Sequence, residues 1–598
     1  MDIKMRKLWD NNRDYHSVAN TDQIKVHHLQ LNLDVDFDKQ QLVAQATLQF
    51  NRCEDCNELV LDGRDLIIDT ITDNSGRLLE FSIEHINELQ GEKIIIAVGD
   101  DINQVTISYR TSPKAQGLQW LTPEQTLGKQ VPYLFSQSQP VNARSWIPLQ
   151  DTPKARITFS AAVKVNNGLR AVMSAANSDI MPADGVFQFE MEKPIPTHLL
   201  ALAVGDLAYG AISDRCGIYT EPAMLAKALA EFEDTEEMIL AAESLLGPYP
   251  WDRYDMIVLP PSFPFGGMEN PRLAFITPTL IAGDKSLVST VAHELAHSWT
   301  GNLVSNATWR DLWLNEGFTT YFTNRLVEKI YGKEQAELEW VIEFGRLKEE
   351  MISMPLAAQT LPANVQHQDA NDAFNRFTYD KASMFVHELE VRLGRKAFDH
   401  FLFDYVQHFK FQAITTETFI EYAKQTLLVQ YPEAISESEL MTWVYGEGLP
   451  QWFVGPTSTS LDKVDLALQQ LKLGDSAAKL NVAGWRVHHW QYFIKQLPLQ
   501  LTQLQLTDLD SVFGFSGSQN AELACDWYSV AIRNNYEIVL PKVAAFLGHI
   551  GRAKFVKPLY NELLIAGYEQ QALAIFQQAR AGYHPSLQVQ LDALMQQL

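Results

Sequence analysis

Hydrophobic and polar residues alternate with a period of two near the start of the chain. Residues 29–37 read Leu-Gln-Leu-Asn-Leu-Asp-Val-Asp-Phe, and residues 42–50 resume the alternation after a polar turn. Because successive side chains of a strand point to opposite faces, this pattern predicts a hairpin with one buried face. Residues 94–98 and 105–109 are further strand candidates. We therefore expect an antiparallel β domain over residues 1–205.

The hydrophobic period changes to that of a helix in the next part of the chain. Apolar residues recur every three or four positions over residues 222–232 and 236–246. Two strand candidates, residues 254–259 and 273–277, flank a loop rich in proline and glycine. The stretch beyond them is mostly helical, so residues 206–450 are predicted to form an α+β domain.

A run of small and polar residues then interrupts the helices. Residues 455–460 read Gly-Pro-Thr-Ser-Thr-Ser, and we expect a linker over residues 451–462. Amphipathic helical patterns fill residues 463–598 and predict an all-α domain of stacked helix pairs, similar to a helical-repeat array although without a fixed period. Taken alone, this last part is typical of a helical interaction module.

Length and composition support a large globular protein. At 598 residues the chain exceeds what one hydrophobic core accommodates, so several domains are expected. Its content of 46% hydrophobic and 20% charged residues is that of an ordinary globular protein. The formal net charge of −25 argues against a nucleic-acid partner, which requires a basic face.

The remaining bulk features concern location. Four cysteines are too few for a disulfide framework, and the pair Cys53 and Cys56 is interpreted as two reduced thiols in a loop. Residues 1–12 contain no apolar run, so no secretory signal is expected. No stretch has the length of a membrane span, so no membrane partner is expected. These features predict a cytoplasmic protein; they leave its oligomeric state open, and a monomer is compatible with them.

The first candidate for chemistry is the run His293-Glu294-Leu-Ala-His297. Two histidines four positions apart on a helix lie on the same face, where they can bind one zinc ion. Residues 284–286 offer a helix start, and residues 301–302 offer a stop. The alternative interpretation is a structural helix with two partly exposed histidines.

A third zinc ligand is available further along the chain. Glu316 follows His297 with eighteen residues between them, just before an apolar pattern with helical spacing that ends at Gly332. Three protein ligands leave the fourth position of one zinc ion for water, whose pKa the metal lowers. Glu294 is then the candidate general base that moves protons between water and a leaving amine.

The loop before this helix indicates how a substrate is held. It reads Phe265-Gly266-Gly267-Met268-Glu269, and its two glycines permit close approach of a ligand backbone. A carboxylate beside a protease site can bind a free α-amino group, and such binding would favour removal of one residue at a time. The alternative is an ordinary surface turn.

Together these motifs resemble the zinc aminopeptidase family of aminopeptidase N and leukotriene A(4) hydrolase. The resemblance rests on Gly-Gly-Met-Glu-Asn at residues 266–270, on the HExxH run and on Asn-Glu-Gly-Phe at residues 315–318. Residues 133–139, residues 150–153 and the Gly-Arg-Ala-Lys-Phe run at residues 551–555 are similar to the leukotriene A(4) hydrolase branch. The resemblance implies a thermolysin-like α+β fold for the zinc domain.

The same resemblance implies roles for further residues. Glu269 and Gln139 would bind the α-amino group of a peptide with a free N-terminus, and Tyr379 would donate a hydrogen bond to the oxyanion. Arg552 and Lys554 would bind the C-terminal carboxylate of a short peptide. The remaining implied substrate-binding residues line the peptide or its first side chain: Gln137, Phe265, Gly266, Gly267 and Met268.

The chain departs from the leukotriene A(4) hydrolase branch at two positions. That branch carries an aspartate and, three residues later, a tyrosine that serve its epoxide chemistry, whereas this chain has Asn371 and Phe374. The family also usually has glycine where this chain has Ala382. We therefore expect a zinc aminopeptidase, with a bifunctional aminopeptidase and epoxide hydrolase, a thermolysin-like endopeptidase or a scaffold with a vestigial site as alternatives.

Overall fold

The computed structural model describes residues 14–166 and 168–596, which fold into three domains in chain order. A β-rich domain comes first, a mixed domain second and an all-helical domain third, as the sequence predicts. The expectation that residues 1–12 carry no secretory signal lies outside the described residues.

The first domain consists of strands and short turns. Its strands are β1 (Ile24–Asp36), β2 (Gln41–Arg52), β3 (Glu58–Gly63), β4 (Ile67–Asp73), β5 (Phe81–Asn87), β6 (Gly91–Ala97), β7 (Gln104–Arg110), β8 (Leu118–Leu121), β9 (Tyr133–Ser136), β10 (Arg156–Lys164), β11 (Arg170–Met173), β12 (Val186–Pro196) and β13 (Leu202–Gly205). They form a six-stranded sheet in the order β12-β10-β1-β2-β7-β4, a three-stranded sheet β3-β6-β5 and a four-stranded sheet β11-β13-β9-β8.

The predicted hairpin is the centre of the largest sheet. β1 and β2 pair antiparallel with Leu31 opposite Ala46 and Val35 opposite Leu42, and all four side chains are buried. The apolar face therefore points into the core, as the alternation requires. One pairing differs from the expected antiparallel arrangement, because β1 and β10 run parallel. β10 follows long after the hairpin in the chain, so no short turn constrains its direction.

The second domain combines a small sheet with helices. Its strands are β14 (Ala208–Ser213), β15 (Cys216–Thr220), β16 (Tyr254–Val258), β17 (Gly267–Met268), β18 (Ala274–Ile276), β19 (Val304–Asn306) and β20 (Gln412–Ile414). Its helices are α1 (Pro222–Glu231), α2 (Thr235–Leu246), α3 (Ser289–Ala296), α4 (Trp313–Tyr331), α5 (Lys333–Ser353), α6 (Ala382–Leu393), α7 (Arg395–Phe409), α8 (Thr416–Ala423) and α9 (Glu437–Tyr445). Five strands form a sheet in the order β14-β15-β16-β18-β17, and β17 lies at its edge.

Helix α3, which carries the HExxH run, is shorter than the sequence predicts. It begins at Ser289 rather than at residues 284–286, because Lys285 has a φ of 56°, which a right-handed helix excludes. The carboxylate of Glu231 accepts the N–H groups of Gly283 and Lys285 and stabilises this turn. The last helical residue is Ala296, so the expected stop at residues 301–302 is also wrong by about one turn.

The third domain is entirely helical among its described residues. After residues 453–458, which have no regular secondary structure, it contains α10 (Asp462–Lys472), α11 (Val487–Lys495), α12 (Gln503–Phe513), α13 (Ala521–Arg533), α14 (Leu540–His549), α15 (Ala553–Ile565), α16 (Glu569–Ala579) and α17 (Pro585–Met595). α13 packs against α11 and α15, and α14 packs against α16, as in stacked helix pairs. Within the described chain, every helix is too short or too polar to cross a bilayer.

The three domains meet around the loop that precedes α3. One continuous apolar core extends through the first two domains, whereas the helical domain has a core of its own. The start of α15 lies against this loop: the Gly551 N–H donates to the Pro261 carbonyl at 2.7 Å, and the Ala553 N–H donates to that of Pro264 at 2.9 Å. Residues from distant parts of the chain therefore surround one site.

Candidate active site

The three predicted metal ligands converge on one point. The Nε2 atoms of His293 and His297 are 3.1 Å apart, and the Oε2 atom of Glu316 lies 3.3 Å from the first and 3.4 Å from the second. His293 belongs to α3 and His297 is its C-cap residue, whereas Glu316 is in the first turn of α4. Two helices that pack against each other thus bring the ligands together.

Each histidine ring is oriented by its other nitrogen. The Nδ1–H of His297 donates to the carbonyl of Thr300 at 3.1 Å. The Nδ1 of His293 lies 3.2 Å from the hydroxyl of Thr323, which itself donates to the carbonyl of Thr319 and so accepts from the ring. In the neutral rings both Nε2 atoms therefore carry lone pairs that face the same point, which is the tautomer that metal ligands require.

These residues fit a zinc ion. Tetrahedral zinc with bonds of about 2.0–2.2 Å places its ligand atoms about 3.3–3.6 Å apart, close to the separations found here. Two lone pairs and a carboxylate at this spacing repel one another unless a positive charge lies between them. Accordingly, although burial opposes the shift, Glu269 and Glu316 raise the pKa of His297 to about 10. The site thus stabilises positive charge where a zinc ion would bind.

Glu294, the predicted general base, lies beside the ligands but is not one of the three. It is buried, and burial raises its pKa well above the usual range of a glutamate, although His297 opposes the shift. Its carboxylate packs on the backbone of Gly267, where a side chain would collide with it. The HExxH helix and the glycine loop are therefore in direct contact.

Glu269 lies next to this base and is held from two sides. The amide of Gln139 donates to its Oε1 at 3.1 Å, and the amide of Asn302 donates to its backbone carbonyl at 2.6 Å. One carboxylate oxygen of Glu269, one of Glu294 and one ring nitrogen of His297 all lie within 4.8 Å of one another. Burial raises the pKa of Glu269, and His297 opposes the shift.

Tyr379 lies beside the ligands His293 and Glu316. It is in a π-helical segment, Phe377–Lys381, which continues into α6, and its ring stacks on that of His293 at 6.3 Å. Such π-helical turns are frequent at functional sites. Burial, together with the charges of Glu316 and Glu269, raises the pKa of Tyr379 well above 10. Its hydroxyl therefore stays protonated and can donate.

The glycine loop forms a wall of the site. Gly267 and Met268 form β17, which pairs with β18 on one side only. The buried amide of Gln137 donates to the sulfur of Met268 at 3.3 Å. Phe265 is half-buried and packs edge-on against Phe263 at 6.0 Å. The open edge of β17 is suited to pair with an extended peptide.

Arg552 of the helical domain reaches the same loop, and Lys554 lies two residues further along the chain. Arg552 lies so close to Gly266 that a Cβ there would be 2.5 Å from its Nη2 atom, and its Nη1 donates to the hydroxyl of Thr279 at 3.3 Å. Lys554 forms an ion pair of 2.5 Å with Glu522. The same carboxylate lies 3.7 Å from Arg552. Arg552 thus adjoins the glycine loop, and Lys554 is linked to it through one shared counter-ion, Glu522.

The two positions that differ from the hydrolase branch lie beside an apolar cluster. The ring of Phe374 lies 5.9 Å from that of Trp309. Asn371 donates to the carboxylate of Asp369 at 2.8 Å through its side-chain amide. Neither residue offers a phenol or a carboxylate at these positions.

Several residues that the structure brings to the site are not among those predicted from the sequence. Thr319 and Thr323 follow Glu316 at helical spacing, so the sequence already indicated that they share a face of α4 with Glu316. Asn302, Arg156 and Glu522 carry no such signal, because their partners are distant in the chain.

Fold and site together define a three-domain zinc metallopeptidase. Matches to known families agree: residues 25–199 match the peptidase M1 N-terminal domain, residues 230–441 match the peptidase family M1 domain, and residues 485–595 match the leukotriene A4 hydrolase C-terminal domain.

Relatives and solved structures match over nearly the whole chain. Leucine aminopeptidase 2 of Yarrowia lipolytica is 34% identical and covers 96% of this chain and 92% of its own. Leukotriene A-4 hydrolase of Xenopus laevis is 34% identical and covers 96% of this chain and 97% of its own. The structure of yeast LTA4 hydrolase in complex with bestatin is 29% identical, with a TM-score of 0.90 and full coverage of both chains. The chain belongs to peptidase family M1 and is a zinc-dependent aminopeptidase with one catalytic zinc.

Proposed function

We propose that the enzyme removes the first residue from peptides whose α-amino group Glu269 binds. When present, zinc supplies Lewis acidity, which acidifies water and polarises the scissile carbonyl. Glu294 accepts the proton of the attacking water and passes it to the leaving nitrogen. The hydroxyl of Tyr379 donates a hydrogen bond to the oxygen on which negative charge develops.

The observation that carries this proposal is the balance of charge around His297. Three buried carboxylates, those of Glu269, Glu294 and Glu316, surround the site. Burial raises the pKa values of Glu294 and Glu269, and the three positive charges of one zinc ion and one α-ammonium group would oppose this shift and let all three carboxylates ionise. Buried charges require compensation of this kind. An endopeptidase, whose substrates present no ammonium group at this point, would have no use for Glu269.

We infer that Gln139 and Gln137 complete the binding of the first residue. The side-chain amide of Gln139 orients the carboxylate of Glu269 and so lies close to the α-ammonium group that this carboxylate binds. Gln137 supports the sulfur of Met268, and Phe265 and the two glycines form the adjacent wall. A substrate backbone beside β17 then places its first peptide bond near Glu294.

The other end of a short peptide is proposed to bind Arg552 and Lys554. Arg552 contacts Gly266 directly, so a carboxylate held by it lies within a few residues of the scissile bond. A guanidinium binds a carboxylate through two hydrogen bonds, whereas an ammonium acts as a point charge. Short peptides, which would bind at both ends, should therefore be hydrolysed in preference to long ones.

The test is a comparison of matched substrates. We expect Glu269→Ala to reduce kcat/KM for amino-acyl amides about 100-fold, as loss of a buried charge partner does, and to leave one zinc per chain. The wild-type enzyme should not cleave N-acetylated peptides. Efficient cleavage of acetylated peptides would instead support the thermolysin-like endopeptidase, and unchanged kinetics would remove Glu269 from the site.

Epoxide hydrolysis is the second candidate, because one relative is a leukotriene A-4 hydrolase. In this chain, however, Phe374 packs on Trp309 and Asn371 binds Asp369, so these positions offer neither an acid nor a phenol. We infer that peptide hydrolysis is the main activity. Incubation with a lipid epoxide should yield no diol at an enzyme concentration that hydrolyses peptides.

Location and domain limits are proposed on separate grounds. All four cysteines are free thiols, as is usual in a reducing compartment, which supports the cytoplasm. Cell fractionation tests this location.

We further propose domain limits near residue 205 and within residues 451–462, and limited proteolysis would check the second of these limits.

A further inference from the structure

We propose that Asn302 and Arg156 are positioning residues that hold the anchor carboxylate of Glu269 at a set distance from the zinc ligand His297. This inference rests on the proposed role of Glu269 as the site of the α-ammonium group. It adds a function for the β-rich domain, whose Arg156 reaches the site through Asn302.

Asn302 connects two parts of the site that are distant in the chain. Its N–H donates to the carbonyl of His297 at 2.9 Å, at the end of the zinc helix. Its side-chain amide donates to the carbonyl of Glu269 at 2.6 Å, in the glycine loop. Asn302 is only 1% exposed, so neither hydrogen bond competes with bulk water. One residue therefore sets the spacing between a metal ligand and the substrate anchor.

Arg156 holds Asn302 in turn. One guanidinium nitrogen of this β10 residue donates to the carbonyl of Asn302 at 2.7 Å and to that of Pro194 at 2.8 Å. Another donates to the hydroxyl of Ser305 at 2.9 Å. Within the described part of the chain Arg156 donates to neutral acceptors and has no carboxylate partner, although it is buried. A buried cation that binds only neutral acceptors is costly, which indicates that its position matters.

The two contacts of the β-rich domain restrain Glu269 at different points. Gln139 binds its carboxylate, and the pair Arg156 and Asn302 binds its backbone carbonyl through a chain of two hydrogen bonds. The scissile bond lies one residue from the α-ammonium group, so displacement of this anchor misplaces the bond relative to Glu294. Errors of about 1 Å in such geometry cost up to about 100-fold in rate.

The experiment compares two hydroxamates that bind zinc equally but differ in one group. Phenylalanine hydroxamate carries the α-amino group, whereas 3-phenylpropionohydroxamate lacks it, so the ratio of their inhibition constants measures the anchor alone. Both are tested on the zinc-loaded enzyme and on Asn302→Ala. The matched control is Asn306→Ala, because Asn306 is also buried and donates to a backbone carbonyl, that of Thr308, at 3.0 Å.

We expect Asn302→Ala to raise the inhibition constant of phenylalanine hydroxamate about tenfold and that of the des-amino compound less than about twofold. Asn306→Ala should change the two constants by the same factor. Arg156→Lys keeps the charge but not the three hydrogen bonds, and it should shift the ratio in the same direction by a smaller factor. Zinc content by atomic absorption should stay at one per chain.

Two outcomes would overturn the inference. Equal increases of the two inhibition constants would show a purely structural role, and unchanged inhibition constants in both Asn302→Ala and Arg156→Lys would show no role. If Asn302→Ala loses zinc or fails to fold, Arg156→Lys decides by the same ratio. Glu269→Ala distinguishes failure of the proposed function from failure of this inference. An unchanged ratio in that variant contradicts the proposed function itself, whereas a ratio that changes there but not in Asn302→Ala contradicts only this inference.

Discussion

The carboxylate of Glu294 packs directly on Gly267: a Cβ atom at Gly267 would lie 2.2 Å from its Oε1 atom and 2.4 Å from its carboxyl carbon. No real Cβ approaches an oxygen so closely, so either the glycine loop or the base would move if a side chain were present. Glycine at this position therefore makes room for the carboxylate of Glu294, the proposed general base, in addition to its proposed role in the approach of a substrate backbone.

This contact predicts the effect of Gly267→Ala. The added methyl group should displace the carboxylate of Glu294 and lower kcat about 100-fold, because a general base contributes about 10²–10⁴-fold to the rate. Zinc content should not change, since the three atoms nearest to this Cβ all belong to Glu294, which is not one of the three ligands. Gly345→Ala is the control: no atom lies within 4 Å of a Cβ there, on helix α5, so activity should be retained. A Gly267→Ala enzyme with wild-type kcat would contradict this assignment.

Zinc removal should lower stability as well as activity. His293, His297 and Glu316 come together only in the folded chain, so the ion binds the folded state selectively. With free zinc at a thousand times its Kd, this linkage contributes about 4 kcal/mol to the free energy of unfolding. We expect a chelator to abolish peptide hydrolysis and to lower the melting temperature by several degrees, and zinc to restore both. An unchanged melting curve would argue against a preformed site.

Tyr379→Phe should lower kcat about 100- to 1000-fold, as loss of one oxyanion donor does. Because the pKa of Tyr379 lies well above 10, its hydroxyl keeps its proton at neutral pH. The ratio of wild-type to variant kcat should therefore be constant from pH 6 to 9. Tyr445→Phe is the matched control, since the Tyr445 hydroxyl also donates to a carboxylate, that of Glu417, at 2.8 Å. A ratio of kcat values that decreases as the pH rises from 6 to 9 would mean that the hydroxyl ionises.

Binding of the peptide carboxylate should depend on pH through Lys554. Burial lowers the pKa of this ammonium to about 7, while Glu522 opposes the shift. The charged form dominates below that pKa, so KM for a tripeptide with a free carboxylate should rise as the pH increases from 6 to 8. The corresponding tripeptide amide should show no such rise. Lys554→Arg, whose guanidinium stays charged, should abolish the difference, and a persisting rise would assign it to another group.

Much of the fold was predictable because its determinants are local. The alternation at residues 29–37 defines a strand and its buried face wherever that strand pairs. Helical spacing likewise located α1, α2 and α4, with the end of α4 at Gly332. The start of α3 was not predictable in the same way, because Glu231, 54 residues before Lys285, stabilises the turn that delays it.

The candidate site likewise has a part that local sequence determines and a part that depends on contacts between distant residues. The sequence by itself determined the three candidate zinc ligands, because His293 and His297 lie four residues apart at the zinc helix and Glu316 is in the first turn of the next helix. Only the tertiary structure decided which groups meet them: Gln139 reaches Glu269 across 130 positions, and Asn302 reaches it across 33. Such contacts follow from the packing of distant segments against one another, within one domain for Asn302 and between two domains for Gln139, and no periodicity within a segment encodes the distance between two segments.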